Sequence, residues 1–543
     1  MTGWADTAGG AASGALRLER GARLLPWGAA IVLLALAGVA AKDFANPDGV
    51  AYARLALYWS EGRWALAVTG YWGQLLPWLA APLLRLGLDP VVAMRVAMGL
   101  SGLVFLHGAG ALLAAFRLPP AELRAGFWIA ALLAAVWSIV AVTPDLLAAG
   151  LLLAGMARLV DEDMDARCGL QAGVLFGFAY LAKAVMLPTA VLAVGCVQGL
   201  RWWLGRAGLT ASLRCALAAG LGLGAVALPW ILALSLHYGA PTFSTSGAPN
   251  HAIAGPPDRD RGHPTFRIHH EPPPGRLTTW EDPTIFPYED WSPFESAAHL
   301  RHQAGLVAGN AKEVLRRLAR FDMAGLGLAA AVFAALGLGR AGWRAQPWRL
   351  ALPLSSCVAA AYLPVYAGDD RYFVASIPIL LGAALGLSHA VGSSLGPVRR
   401  WLPAALVAAS FAVPAADQAA FMVLGRKHAH LEAARPAAAA LGTGVRGVAS
   451  VRDGTHFGLY LAWMADVPFL GNSDAAAVPA DLNADQAAVR ADVFVLGRDS
   501  PMAAAMTEDA AFERVTAGGG EKAWPAAVFR RRSPTNFPEA TGP

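Results

Sequence analysis

Apolar runs of 13 to 27 residues, separated by short polar breaks, fill most of the first four-fifths of the chain. Candidate runs lie near 24–41, 90–116, 126–142, 145–160, 169–187, 188–200, 211–236, 322–339, 350–367, 372–391 and 401–420. A membrane-crossing helix needs roughly 20 mostly apolar residues, so the pattern predicts a mainly α-helical, polytopic membrane protein of about eleven transmembrane helices. The stretch 74–88 is apolar but short and carries Pro77, Pro82 and Arg85, which predicts an interfacial or re-entrant helix. The run 24–41 has no A-x-A-like site after it and reads as a retained anchor rather than a cleaved signal.

Three polar regions interrupt or follow this pattern. In 42–74 the positions Val50, Leu55, Leu57, Tyr58 and Trp59, set among Arg54, Glu61 and Arg63, predict an amphipathic helix lying in the membrane interface. The region 237–321 reads as a long loop without obvious helices, and loops of that length are usually functional or disordered. Its aromatics, Phe243, Phe266, Trp280, Phe286, Tyr288, Trp291 and Phe294, favour an ordered lid. In 421–543 the segments VRGVASV and ADVFVLG read as buried strands and 455–465 as a helix, which predicts a small α/β domain with a frayed tail after Arg532. The expected organisation is a tail 1–23, a transmembrane domain 24–420 with outer loops 42–74 and 237–321, and a domain 421–543.

Composition agrees. Of 543 residues, 56% are hydrophobic and only 15% charged, against about a quarter charged in soluble domains. The net charge of +5 is not a nucleic-acid signal, because the bases sit in short clusters between apolar runs. Those clusters set the orientation. With Arg17, Arg20 and Arg23 inside, the inner loops hold Arg117 and Arg124, Arg158 and Arg167, Arg201 and Arg206, Arg340, Arg344 and Arg349, and Arg399 and Arg400. The short outer connections at 143–145 and 368–370 carry only acids. The expected topology is N-terminus cytoplasmic and C-terminal domain outside. Cys168, Cys196, Cys215 and Cys357 lie in or beside apolar segments and form no CxxC pair, so they read as packing residues.

Ionisable residues at a membrane boundary are costly and mark candidate sites. Asp48, in Asn46-Pro47-Asp48, fits a general base toward a hydroxyl or a helix N-cap. Asp145, in Thr143-Pro144-Asp145, has the same two readings. Lys183 has apolar neighbours on both sides and needs an anionic partner, for which a phosphate is suited. Arg371 suits a phosphate or a local pair with Asp369 and Asp370. The histidines of 237–321 show no HExxH or comparable spacing, so no metal site is expected, and no nucleotide-binding loop is present.

At these residues the chain resembles a family. PDGVAYARLALYWSEGRW resembles the PDE-x-x-YA signature of GT-C membrane glycosyltransferases, which include the protein O-mannosyltransferase and aminoarabinose lipid A transferase groups. Gly49 replaces the second acid of that signature. TPDLLAAGLLLAGMA, GVLFGFAYLAKAVMLP and DDRYFVASIPIL resemble three further segments of the family, in the same order.

The resemblance implies an inverting transfer from a polyprenyl-phosphate sugar donor to an acceptor hydroxyl on a glycan, lipid or protein. It implies a place in a bacterial inner (plasma) membrane, with the site on the extracytoplasmic, periplasmic face; no cofactor is expected, since no motif in the sequence supports one. Asp48 would be the base, Asp145 would orient substrate, and Lys183 and Arg371 would bind the donor phosphate. Tyr52, Trp280, Tyr288 and Trp291 would contact substrate. A lipid-linked glycan transporter or a non-catalytic membrane assembly protein are the alternatives, the former normally showing internal repeats.

Overall fold

The computed structural model describes residues 26–160, 164–261, 269–285, 288–320, 324–336, 346–396, 398–424, 429–473, 478–484, 490–516 and 524–532. The expected tail 1–23, the expected frayed end beyond residue 532, Phe266 and Phe286 lie outside them.

Each of the eleven apolar runs falls on a helix: Pro26–Ala40, Pro90–Ala115, Pro120–Val140, Asp145–Val160, Ala166–Ala182, Met186–Trp203, Leu209–Tyr238, Ala324–Leu336, Ala351–Ala360, Ser376–Ser394 and Leu402–Leu424. Five are long and apolar enough to cross a membrane, namely Pro90–Ala115, Pro120–Val140, Leu209–Tyr238, Ser376–Ser394 and Leu402–Leu424. The chain is thus a multi-pass membrane protein. Two of the shorter helices have one end at a charged residue: Asp145–Val160 begins at Asp145, and Ala166–Ala182 ends at Lys183. Small residues let helices meet backbone to backbone. A Cβ on Gly108 would lie 1.9 Å from the Gly150 carbonyl oxygen, and one on Gly173 would lie 2.0 Å from that of Ala219. The first contact locks Pro90–Ala115 onto the helix headed by Asp145.

Two polar segments differ from their sequence-based expectation. The helix expected to lie in the membrane interface exists as Pro47–Glu61, with Pro at its first turn and a left-handed Gly62 cap, both normal end signals. It is buried rather than laid on a surface, with even Arg54 only 8% exposed. The reason is that the C-terminal domain covers it: Val50, Leu55 and Tyr58 share one apolar core with Leu431, Phe457, Leu461 and Val493. The region 237–321, expected to lack helices, ends in a long one, Ala297–Arg320. Val314 and Leu318, one turn apart, anchor it in the transmembrane core, while polar and charged residues are spread along its whole length, which hides it in a hydropathy reading.

The C-terminal part is the expected small α/β domain. Five strands, β1 (Val448–Val451), β2 (Phe469–Ser473), β3 (Val493–Leu496), β4 (Phe512–Arg514) and β5 (Ala527–Arg531), form a sheet in the order β2-β1-β3-β5-β4. β1 pairs parallel with β2 and β3, and β5 antiparallel with β3 and β4. The helix Thr455–Ala465 crosses from β1 to β2. The lid then adds to the open edge at β2. Isolated bridges join His269 to Gly471 and Thr278 to Phe469, and the Phe469 N–H donates to the Leu277 carbonyl at 2.7 Å. Edge pairing of this kind ties a segment by its backbone.

Candidate active site

The four ionisable residues singled out in the sequence come from four separated stretches, and the fold brings them together at one end of the helix bundle. Asp48 stands at the second position of its helix; Asn46 is the N-cap and uses no side-chain cap bond. The Asp48 carboxylate instead accepts from Arg371 Nη1 at 2.6 Å and from Trp280 Nε1 at 3.3 Å. Lys183 Nζ donates to Asp145 Oδ1. Arg371 Nε lies 2.8 Å from Asp369 Oδ2 and 4.0 Å from Asp145 Oδ2, so it joins the two catalytic candidates as well as its neighbour in sequence.

Burial decides how strong these pairings are. Asp48 is 9% and Asp145 6% exposed, where a charge without a partner costs several kcal/mol. Burial opposes the charge on Arg371, yet Asp48, Asp145 and Asp369 together outweigh it and hold the guanidinium above its ordinary range. The Lys183 ammonium also sits 4.1 Å from the centre of the Tyr372 ring, and Tyr372 stacks on Tyr362 at 4.8 Å, a cation–π support for a nearly enclosed cation.

Two cavities meet at this cluster. The larger, of about 480 Å³, is lined by Asp48, Asp145, Lys183 and Arg371 and by an aromatic wall that includes Tyr52, Tyr71, Trp72, Trp280 and Tyr372. The smaller, of about 440 Å³, is lined by Asn46, Asp48, Trp137, Trp280, Asp369, Asp370, Arg371, Gln418 and His456. Both volumes are in the range of small-molecule sites, roughly 300–1,000 Å³. Asp48, Trp280 and Arg371 line both, whereas Lys183 lines only the larger.

Trp280 is held in place by the lid's own packing. Its carbonyl accepts from Trp72 Nε1 at 2.9 Å. The next residue, Glu281, is fully buried and accepts from the Tyr58 hydroxyl at 2.8 Å and the Leu277 N–H at 2.9 Å, with Arg54 and Arg276 each 3.8 Å away. Burial pushes the Glu281 carboxyl up against the pull of Arg54 and Arg276. In the same part of the site burial, reinforced by Asp48, raises the Tyr71 phenol, so Tyr71 stays neutral beside the carboxylate.

Of the expected substrate contacts, Tyr52 and Trp280 line a cavity, and Tyr288 and Trp291 line neither. Trp291 turns inward to the lid: it stacks on His251 at 4.3 Å and donates to that residue's carbonyl at 2.9 Å. Tyr288 is half-buried in the lid. An aromatic residue in a long loop serves equally well as that loop's own core. Tyr372, Gln418 and His456 were not picked out from the sequence. Tyr372 adjoins Arg371 and had a local signal; a single Gln in the helix Leu402–Leu424 and a single His in Thr455–Ala465 had none. Among the described residues no three His, Cys, Asp or Glu groups are placed to hold a metal ion.

Neither a family model nor a curated protein sequence matches the chain. Solved structures do. ArnT from Cupriavidus metallidurans bound to undecaprenyl phosphate aligns over 95% of this chain and 99% of its own, at 16% identity and a TM-score of 0.56. The apo state of the same protein aligns over 94% and 98%, at 15% identity and a TM-score of 0.55. The likeness is one of fold, and it covers nearly the whole of both chains: this chain has the membrane fold of ArnT.

Proposed function

We propose that this chain is a membrane glycosyltransferase that moves a sugar from a polyprenyl phosphate to an acceptor hydroxyl, with inversion, on the extracytoplasmic face of the membrane. The observation that carries the reading is the shared wall: Asp48 and Arg371 face both cavities, while the second cation, Lys183, faces only one. A transfer needs that asymmetry. The donor enters the larger cavity, where Lys183 and Arg371 receive its phosphate and the aromatic wall takes its sugar. The acceptor approaches from the smaller one, so that attack and departure occur on opposite sides of the anomeric carbon. The structure of ArnT holding undecaprenyl phosphate supports a donor of this lipid class.

In this reading the acceptor hydroxyl gives its proton to Asp48 as its oxygen bonds to the anomeric carbon. The bond from that carbon to the phosphate oxygen breaks, and the polyprenyl phosphate leaves with the electron pair. Lys183 and Arg371 stabilise the growing charge on that oxygen, usually the largest catalytic contribution of such a site. A bound phosphate competes for Arg371 and so loosens its pair with Asp48, which makes the carboxylate a better base when the donor is present. Asp145 keeps Lys183 charged and aimed. Trp280, donating to Asp48 from the lid, sets the carboxylate's orientation and excludes water, the competing acceptor.

The reading is tested with the full-length chain in sealed proteoliposomes, supplied with polyprenyl-phosphate-linked pentoses, hexoses and amino sugars. Release of polyprenyl phosphate with transfer to an added acceptor is the expected result for at least one donor. Movement of an intact lipid-linked sugar across the bilayer, with no cleavage, is the transporter's result and contradicts it.

A further inference from the structure

The two cavities differ in the chemistry of their walls, and the difference bears on what the smaller one holds. Two indoles, Trp137 and Trp280, line it, together with the planar amides of Asn46 and Gln418, the carboxylate of Asp369 and the imidazole of His456. Indole faces cover the apolar C–H face of a sugar ring. Planar amides and carboxylates offer paired donors and acceptors at the spacing of neighbouring hydroxyls. The Asn46 side chain is fixed for this role, because its Oδ1 accepts from the Val142 N–H at 2.9 Å.

The charges argue in the same direction. Asp48, Asp369 and Asp370 all line this cavity, and Arg371 is the lining residue that carries a permanent positive charge. Arg371 is already shared between Asp48 and Asp369. Asp370 pairs with Arg317, which lies outside the lining. A phosphate entering here meets carboxylates rather than open cations, and like charges at close range are strongly disfavoured in a partly dry site. The larger cavity sets Lys183 and Arg371 against Asp48 and Asp145, an even balance without the excess of acids.

We infer that the smaller cavity binds the acceptor as an uncharged saccharide, held between the transmembrane helix that carries Gln418 and the C-terminal-domain helix that carries His456. The inference rests on the transfer reading for its word acceptor, and it narrows that acceptor to a neutral glycan hydroxyl. Trp137, Gln418 and His456 become its specificity-determining residues.

The test is a binding measurement that requires no turnover. Saturation-transfer NMR on the full-length chain in nanodiscs is run with neutral linear trisaccharides of glucose, mannose, galactose and arabinose, with their terminal 6- or 5-phosphate esters, and with a serine- and threonine-containing peptide. Undecaprenyl phosphate binding is measured in the same preparation and serves as the folding control. At least one neutral trisaccharide is expected to bind, roughly tenfold or more tightly than its phosphate ester. Gln418→Leu is expected to weaken it about fivefold, the size of one hydrogen bond, with undecaprenyl phosphate binding retained. Equal or tighter binding of the phosphate ester, or preferential binding of the peptide, overturns the inference. Undecaprenyl phosphate binding with no saccharide bound overturns it as well and leaves the transfer reading standing. Saccharide binding that depends on Gln418, with no undecaprenyl phosphate bound, keeps the sugar site and removes the donor reading.

Discussion

Lys183 has two neighbours that make sense of its charge, the Asp145 carboxylate and the Tyr372 ring. Replacing it by Met keeps the stem and deletes the charge. In the proposed mechanism Lys183→Met lowers turnover about 100- to 1,000-fold, as for loss of one transition-state charge stabiliser, and weakens undecaprenyl phosphate binding; Lys183→Arg restores part of both. Steady-state kinetics with a donor titration checks this, and unchanged donor binding in Lys183→Met would remove Lys183 from the phosphate site. Lys183, Asp48, Asp145 and Arg371 were legible in the sequence for one physical reason: a charge in apolar surroundings needs a partner, and few such positions exist in this chain. The same reasoning could not choose between base and helix cap for Asp48, since both need an acid before a helix. Geometry decided against the cap, with Asn46 in that position and Asp48 turned to Arg371 and Trp280. The lid aromatics were legible as a group but not one by one, and Trp291 and Tyr288 went to the lid while Trp280 went to the base.

The helix Pro47–Glu61 and the lid segment around Glu281 form the element that holds Asp48 in place. Glu281 is the keystone, because it collects Tyr58, Arg54 and Arg276 and two backbone N–H groups in a site closed to water. Glu281→Ala leaves two guanidinium groups facing a buried gap and is expected to cost about 3–5 kcal/mol of stability. Thermal melting of the purified protein measures this, together with a fall in turnover as Trp280 loses its support; a melting curve equal to wild type contradicts the role. A second element-scale effect concerns pH. Burial first, and then the neighbouring His456, lower the His430 imidazole from its ordinary 6.5. The unfolded chain therefore binds a proton near pH 6.5 that the folded domain still refuses. Stability contributed by neutral His430 is present above that pH and is lost as pH falls through 6.5 toward the lowered folded value. The melting temperature should drop between pH 7.5 and 5.5, and His430→Gln should flatten the drop. Apolar run length located the apolar helices, five of which are long enough to cross a membrane. It did not reveal Ala297–Arg320, whose polar residues dilute the signal, or β2, β4 and β5, in which Gly, Asn, Ser, Glu and Arg break the apolar run.

At the scale of the molecule, the fold puts the starts of Pro47–Glu61 and Asp145–Val160, the end of Ala166–Ala182 and the loop before Ser376–Ser394 at one end of the bundle, under the C-terminal domain. The arginine-bearing loops predict that this end faces outside, by a rule that comes from the cost of moving bases across the membrane. Glu513 is exposed on β4. A cysteine placed there, in a background with the four native cysteines replaced, is expected to react with a membrane-impermeant thiol reagent in intact cells. Protection until the cells are broken would reverse the orientation and put the site on the cytoplasmic side. This expected topology rests on charge alone. The lid was legible from its aromatics, but its attachment to the C-terminal domain was not, since that depends on backbone pairing of Thr278 and His269 with β2, which no local residue pattern announces.

The central claim is that Asp48 takes the acceptor's proton between two cavities. It is tested by single-turnover release of polyprenyl phosphate from a bound sugar donor, comparing wild type with Asp48→Asn in the same nanodisc preparation. Asparagine keeps the size and can still accept from Arg371 and Trp280, but it is no base. The account predicts undiminished donor binding and a transfer rate lower by about 100- to 10,000-fold. Transfer by Asp48→Asn at the wild-type rate would contradict it.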